Sequence, residues 1–152
     1  MRFSFQDTTY ELSSKAASRS NFLSKIKDQD SSISLVSLNI NPRILEKIIE
    51  FLEHYENEDP APIICPITTP YIEEYITAWD SAFIELEFDV LIELLWAANY
   101  LEILELIDLT TAKISTFIIH KKTDDIRSCF HIENDYSEEQ SREIEELFMK
   151  FS

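Results

Sequence analysis

Apolar and polar positions alternate near the start of the chain and then change to helical spacing. Residues 2–6 and 9–13 alternate or cluster the two kinds of side chain around a turn at Asp7-Thr8, which favours a short antiparallel hairpin. Residues 14–28 carry apolar side chains at loose helical spacing, and residues 33–36 return to a strand alternation. The predicted order is therefore strand, strand, helix, strand.

The clearest helix is predicted to begin at Asn41-Pro42. Asn is a good N-cap, and proline at the first helical position loses no hydrogen bond that the helix needs. The apolar stripe that follows must be buried against another element, and it consists of Ile44, Leu45, Ile48, Ile49 and Leu52. Residues 58–78 carry four prolines, which disfavour both a helix and a central strand, so this acidic segment is predicted to be an extended loop or insertion.

From Phe88 onward the pattern predicts helix almost to the end of the chain. One helix is lined by Val90, Leu91, Leu94, Leu95 and Ala98, and the next by Ile103, Ile107, Ile114, Phe117 and Ile118, with a bend between them at 99–102. A short helix begins at Thr123. Ser137 and Gln140 have capping-box spacing before a last amphipathic helix, whose stripe is Ile144, Leu147, Phe148 and Phe151.

Composition narrows the classes of partner. Thirteen Lys and Arg against 29 Asp and Glu give a net charge of −16, which would repel phosphate backbones and anionic lipid surfaces. We therefore expect no direct nucleic-acid partner and no membrane partner. Two cysteines are too few for a disulfide scaffold, and no apolar run reaches the ~20 residues of a membrane span, so we expect a reduced, intracellular setting. Within the cell, we expect the protein in the cytoplasm and nucleus.

Glycine is absent, which removes several catalytic and nucleotide-binding motifs. A P-loop, a dinucleotide fingerprint and a nucleophile elbow all need glycine for close backbone approach or positive φ. The three histidines lack metal-ligand spacing, and paired acids are typical of a solvated helix face. Cys129 and His131 would point the same way only in a strand, and no third residue orients them. We predict no enzyme activity, no cofactor and no metal site.

Five segments in order carry a resemblance to a known family. They are VSLNINPRILEKIIE at 36–50, WDSAF at 79–83, LIELLWAANYLEI at 91–103 with LIDLT at 106–110, KTDDIR at 122–127, and FHIENDYSEE at 130–139. Together they resemble the Skp-type adaptor family of SCF ubiquitin ligases over nearly the whole chain. The family's fold is a mostly helical α/β (α+β) BTB/POZ domain, in which a small sheet packs with helices, extended by C-terminal helices.

The resemblance implies a division of labour along the chain. Residues 1–119 would form the BTB/POZ-like domain, and residues 120–152 the helical extension that binds F-box proteins. Asn99 and Tyr100 occupy the family's cullin-contact position, although they could equally end a closely packed helix. The positions that match the family's F-box contacts are Ile107, Ile114, Ile118, Ile126, Phe130 and Ile132. The implied function is an adaptor that bridges a cullin scaffold and F-box substrate receptors.

Departures from the family pattern leave other functions open. Where family members carry glycine after the Asn-Tyr pair and before the Thr123 helix, this chain has Glu105 and His120. The protein could instead bind or stabilise F-box proteins without a cullin, or act as a self-associating BTB-type scaffold. An enzyme that uses Cys129 is the remaining alternative and would need an unusually reactive thiol.

Overall fold

The computed structural model describes residues 2–5, 8–27 and 40–151. The chain divides into two compact units, Met1–Ile119 and His120–Ser152. The described residues are mostly helical, as the apolar spacing predicts. Among them no helix combines the length and the apolar character needed to cross a membrane.

The first unit opens with the predicted hairpin. Strand β1 (Arg2–Phe5) pairs antiparallel with β2 (Thr8–Glu11), with Arg2 opposite Glu11 and Phe5 opposite Thr8. The strand predicted at 33–36 lies outside the described residues.

The single helix predicted over 14–28 is instead two helices, α1 (Ser14–Ala17) and α2 (Asn21–Lys27). The break lies at Ser20, whose buried hydroxyl accepts a hydrogen bond from the Leu23 backbone N–H at 3.0 Å. A serine that satisfies a backbone donor in this way starts a new helix in preference to continuing an old one. The hydrogen bond of the Ser20 hydroxyl therefore determines where the helix breaks, although the apolar spacing predicts one continuous helix.

Helix α3 (Pro42–His54) begins as predicted, because Asn41 Oδ1 accepts from the Arg43 backbone N–H at 3.1 Å. Four residues of its predicted stripe are buried, namely Ile44, Leu45, Ile48 and Leu52. Ile49 is only half-buried, and Phe51, which the prediction omitted, is buried instead. Helix α5 (Phe88–Tyr100) packs against α3 and against α6 (Leu104–Thr116), and the break between α5 and α6 at 101–103 overlaps the bend predicted at 99–102.

The proline-rich segment contains more regular structure than its composition predicts. A 3₁₀ turn spans Ile72–Glu74, and Ile72 is buried. Helix α4 (Ala78–Phe83) follows, capped by Thr77, whose Oγ1 accepts from the Asp80 backbone N–H at 3.1 Å. The segment is therefore anchored to the rest of the unit near its C-terminal end.

Asp80 is a buried carboxylate with donors on both oxygens. The Tyr55 hydroxyl donates to Oδ1 and the Thr77 hydroxyl donates to Oδ2, each at 2.7 Å. Burial, and then the hydrogen bond to Asp80, raise the pKa of Tyr55 to about 12. Rings of Phe51 and Trp79 lie 5.0 and 5.6 Å from that of Tyr55, so this polar pair sits within an aromatic cluster. It ties the end of α3 to α4.

The second unit contains α7 (Thr123–Cys129) and α8 (Glu138–Phe151). The predicted capping box of α8 is present: the Ser137 N–H donates to Gln140 Oε1 at 3.0 Å, and the Gln140 N–H donates to Ser137 Oγ at 3.2 Å. In the predicted stripe of α8, Ile144 is half-buried and Leu147 is exposed. The side chains of Phe148 and Phe151 lie outside the described set.

Without glycine, other residues adopt the left-handed conformation. Glu102, between α5 and α6, has φ 52°, and His120 and His131 have φ 59° and 53°. His120 is one of the places where the family resemblance points to glycine, whereas Glu105 lies inside α6. A residue with a Cβ costs roughly 1–2 kcal/mol in this conformation, so each of these turns must be held by its surroundings.

We predict that position 102 prefers glycine to alanine. Glu102→Gly and Glu102→Ala both remove the side chain, so the difference in their free energies of unfolding isolates the left-handed conformation. We expect the glycine variant to be more stable by about 1 kcal/mol, measured by urea denaturation. Glu46, exposed within α3, is the matched control, where alanine should instead be the more stable by about 1 kcal/mol. An alanine preference at both sites would contradict the prediction.

We also predict that stability falls at alkaline pH through Tyr55. Its pKa in the folded protein, about 12, lies above the ordinary tyrosine value of 10.0, so the stabilisation is complete below about pH 10 and is lost as the pH rises through 12. The contribution is of the order of 2–3 kcal/mol. Urea denaturation at a series of pH values should show a smaller alkaline loss for Tyr55→Phe than for the wild type. The exposed Tyr71, as Tyr71→Phe, is the control, and identical profiles for Tyr55→Phe and the wild type would exclude the effect.

Candidate partner-binding surfaces

Asn99 and Tyr100 are the last two residues of α5, and both are exposed. Leu101 and Ile103, immediately after them, are buried. The backbone N–H of Ile103 donates to the carbonyl of Ala98 at 3.0 Å, which closes the end of the helix. The pair therefore projects from a fixed corner whose neighbours on the chain are anchored in the core.

Helix α2 holds this corner from the side. The Ser20 hydroxyl donates to the carbonyl of Leu101 at 2.5 Å, and the Asn21 backbone N–H donates to the carbonyl of Glu102 at 3.3 Å. The Phe22 ring lies 5.2 Å from the Tyr100 ring, centroid to centroid. Because these contacts involve both backbone and side chain, the position and the orientation of Tyr100 are both constrained by α2.

Lys25 Nζ adds an ion pair with Glu102 at 2.7 Å. Both side chains are substantially exposed, so this pair contributes at most about 1 kcal/mol. The ion pair matters mainly because it holds the side chain of Glu102, the residue of this corner whose backbone is left-handed.

Trp96 belongs to the same exposed side of α5 and is a residue that the sequence reasoning missed as a candidate contact. It is 71% exposed, one turn before Tyr100. The i, i+4 spacing of two aromatic residues was the available signal, because residues four apart share a helix face. The helical stripe directed attention to the buried residues around Trp96 instead.

The predicted F-box contacts in the first unit differ in accessibility. On α6, Ile107 is half-buried and Ile114 is buried, at 8% exposure. Ile118 follows the helix and is 38% exposed. In this structure Ile114 is thus a core residue, while Ile107 and Ile118 keep accessible surface.

The predicted contacts in the second unit are all accessible to some degree. Ile126 and Phe130 are half-buried, and Ile132 is 56% exposed just after α7. The Ile132 backbone N–H donates to the carbonyl of Arg127 at 2.8 Å, which sets where Ile132 emerges. No residue of α7 is buried. This short helix therefore presents its apolar side chains without a core of its own to cover them.

The Cys129 and His131 pair lacks the geometry that a catalytic pair in a strand would need. Cys129 is the last residue of α7, and His131 follows in the left-handed conformation, so the shared direction considered from the sequence does not occur. Within the part of the chain that the structure describes, no group of three or more His, Cys, Asp or Glu residues is placed to hold a metal ion.

Comparison with known proteins gives the class. The model of the Skp1 family, dimerisation domain, matches residues 105–147. The S-phase kinase-associated protein 1 homolog of Tetrahymena thermophila is 34% identical over 145 residues, which cover 94% of this chain and 87% of that protein. SKP1-like protein 12 of Arabidopsis thaliana is 32% identical over 90% of this chain and 85% of its own length.

A fungal relative extends the same class to a named complex. The E3 ubiquitin ligase complex SCF subunit sconC of Arthroderma benhamiae is 31% identical over 106 residues, covering 70% of this chain and 65% of that protein. Two of these relatives are at least 32% identical over 90% or more of this chain, and the family model matches residues 105–147, from α6 to α8. The chain belongs to the Skp1 family.

Proposed function

We propose that this protein is the adaptor subunit of an SCF-type E3 ubiquitin ligase, bridging a cullin scaffold and F-box substrate receptors. Membership of the Skp1 family carries the proposal, because relatives similar over most of the chain are named as S-phase kinase-associated and SCF subunits. The adaptor role is geometric. It holds a substrate receptor at a set position relative to the ubiquitin-charged enzyme, and itself makes and breaks no covalent bond.

The cullin contact is proposed at Asn99 and Tyr100. Both are exposed at the end of α5, and the Phe22 ring and the hydrogen bond from Ser20 to the adjacent Leu101 restrict Tyr100 before any partner binds. Such preorganisation favours binding, because less freedom is lost when the complex forms.

The F-box contact is proposed on the apolar side chains of two segments. One set consists of Ile107 on α6 and Ile118 just after α6, and the buried Ile114 supports these two residues from the core. The other set is in the second unit and consists of Ile126, Phe130 and Ile132. Exposed apolar residues of this kind mark interaction surfaces, and their burial in a complex is favourable because it removes apolar area from water.

We further propose that residues 1–119 form a BTB/POZ-like domain and residues 120–152 an F-box-binding extension. The β1–β2 hairpin and the packing of α3, α5 and α6 support the first, and the uncovered α7 supports the second. An experimental structure in which β1 and β2 join no larger sheet would contradict the BTB/POZ assignment.

The proposed function predicts a complex of three proteins. Purified full-length protein mixed with a cullin N-terminal domain and an F-box protein from the same organism should form a ternary complex, detected by size-exclusion chromatography with light scattering. Binding to the F-box protein alone would indicate the cullin-independent role. Because the matched model is described as a dimerisation domain, the mass of the protein alone is measured too. A stable homodimer that binds neither partner would indicate a self-associating scaffold.

Substitutions should separate the proposed cullin contact from the proposed F-box contact. Tyr100→Ala should weaken cullin binding and leave F-box binding intact, and Ile132→Glu should do the reverse. A loss of about 1 kcal/mol or more, roughly fivefold in Kd, is expected for each. The matched controls are Tyr71→Ala and Ile64→Glu, both at exposed positions in the proline-rich segment. Equal loss of both partners in either variant, with the fold intact by circular dichroism, would contradict two separate surfaces.

A further inference from the structure

The exposed side of α5 carries more than the Asn99 and Tyr100 pair. Trp96 is 71% exposed and Tyr100 is 49% exposed, one helical turn apart. The exposed carboxylate of Glu93 lies three residues before Trp96 on the same helix. We call Glu93, Trp96, Asn99 and Tyr100 the α5 face. It combines two large aromatic side chains with an acidic edge.

The arrangement of the α5 face is that of an interface centre. Tryptophan and tyrosine are the residues most enriched at the energetic centres of interfaces, and leaving them in water forgoes their large burial energy. The rest of α5 shows that this helix buries apolar side chains where it can, since Leu91, Leu94 and Ala98 are all fully buried. Trp96 lies on the other side of the same helix, where those contacts with α3 and α6 do not reach.

One aromatic neighbour supports the face from the side. Phe22 of α2 is half-buried, and its ring lies 5.2 Å from the Tyr100 ring at an interplanar angle of 57°. This tilted contact restricts the rotation of Tyr100. Phe22 is therefore a positioning residue for the face.

We infer that Trp96 is a cullin-contacting residue and, with Tyr100, forms the centre of the α5 face. This rests on the proposed function. The cullin is favoured as the occupant because Trp96 shares one helix face with the proposed Asn99 and Tyr100 contact. The face also lies wholly outside residues 105–147, the segment matched as a dimerisation domain, which argues against a second copy. Glu93 gives its edge a negative charge that suits a basic partner surface, whereas the charge of the nearby Glu102 is paired with Lys25.

The test compares Trp96→Ala with Tyr100→Ala, using full-length protein and a labelled cullin N-terminal domain in fluorescence-anisotropy titrations. We expect Trp96→Ala to raise the Kd roughly 30-fold, the effect of an interface hot spot, and Trp96→Leu to have a smaller effect. Since Trp96 is largely exposed, both variants should keep the wild-type thermal midpoint. Tyr71→Ala controls for the loss of any exposed aromatic residue. F-box binding by the same variants should be unchanged.

Phe22 provides a second, independent variant. Phe22→Ala should weaken cullin binding because Tyr100 loses its support, not because a contact with the cullin is removed. Phe22→Tyr, which keeps the ring, should bind the cullin as tightly as the wild type does. A purely structural role would lower the thermal midpoint in proportion to the loss of binding, and that result would overturn the positioning role.

The outcomes separate the inference from the proposed function. Weakened cullin binding by Trp96→Ala with F-box binding kept supports the inference. If Tyr100→Ala weakens the complex and Trp96→Ala does not, the inference is overturned and the adaptor function stands. If the wild-type protein binds an F-box protein but no cullin, the cullin part of the proposed function is overturned and the inference falls with it.

Discussion

Burial of α5 against α3 and α6 is the packing on which the first unit depends. The side chains that α5 buries include Leu91, Leu94 and Ala98, and both α3 and α6 pack against this helix. Burial of apolar side chains is the main favourable term in the free energy of folding. Because one side of α5 is committed to the core, its opposite side is presented at a set angle. The accessible positions of Trp96 and Tyr100 follow from what the helix buries.

The helices could be predicted from the sequence where a capping residue and an apolar stripe agree. Asn41 with its stripe gave α3, and Ser137 with Gln140 gave the start of α8. The prediction failed at Ser20, whose hydroxyl caps α2 by accepting from the Leu23 N–H and is held in place by donating to the Leu101 carbonyl, an acceptor outside any local pattern. Spacing along the chain carries no information on a partner so distant in sequence. The fold of α1 and α2 is for that reason a tertiary property.

The candidate surfaces were predicted less completely than the helices. Resemblance pointed to Asn99 and Tyr100, and both are exposed. The spacing of Trp96 and Tyr100 places the two on one helix face, but it does not show whether that face is buried or exposed. Ile114 shows the opposite difficulty, since an apolar residue on a stripe is equally consistent with a core and an interface, and here it is buried. Burial decides between these alternatives, and burial depends on what the other elements cover.

The hydrogen bond between Ser20 and Leu101 also constrains when the protein can finish folding during synthesis. These residues are separated by 81 positions, so the hydroxyl of Ser20 has no native acceptor until most of the first unit has left the ribosome. Contacts of such long range close large loops and form late. Helix α2 would therefore dock onto an α5 corner that is already assembled. The orientation of Tyr100, which depends on that docking, is among the last features of the first unit to be acquired on the ribosome.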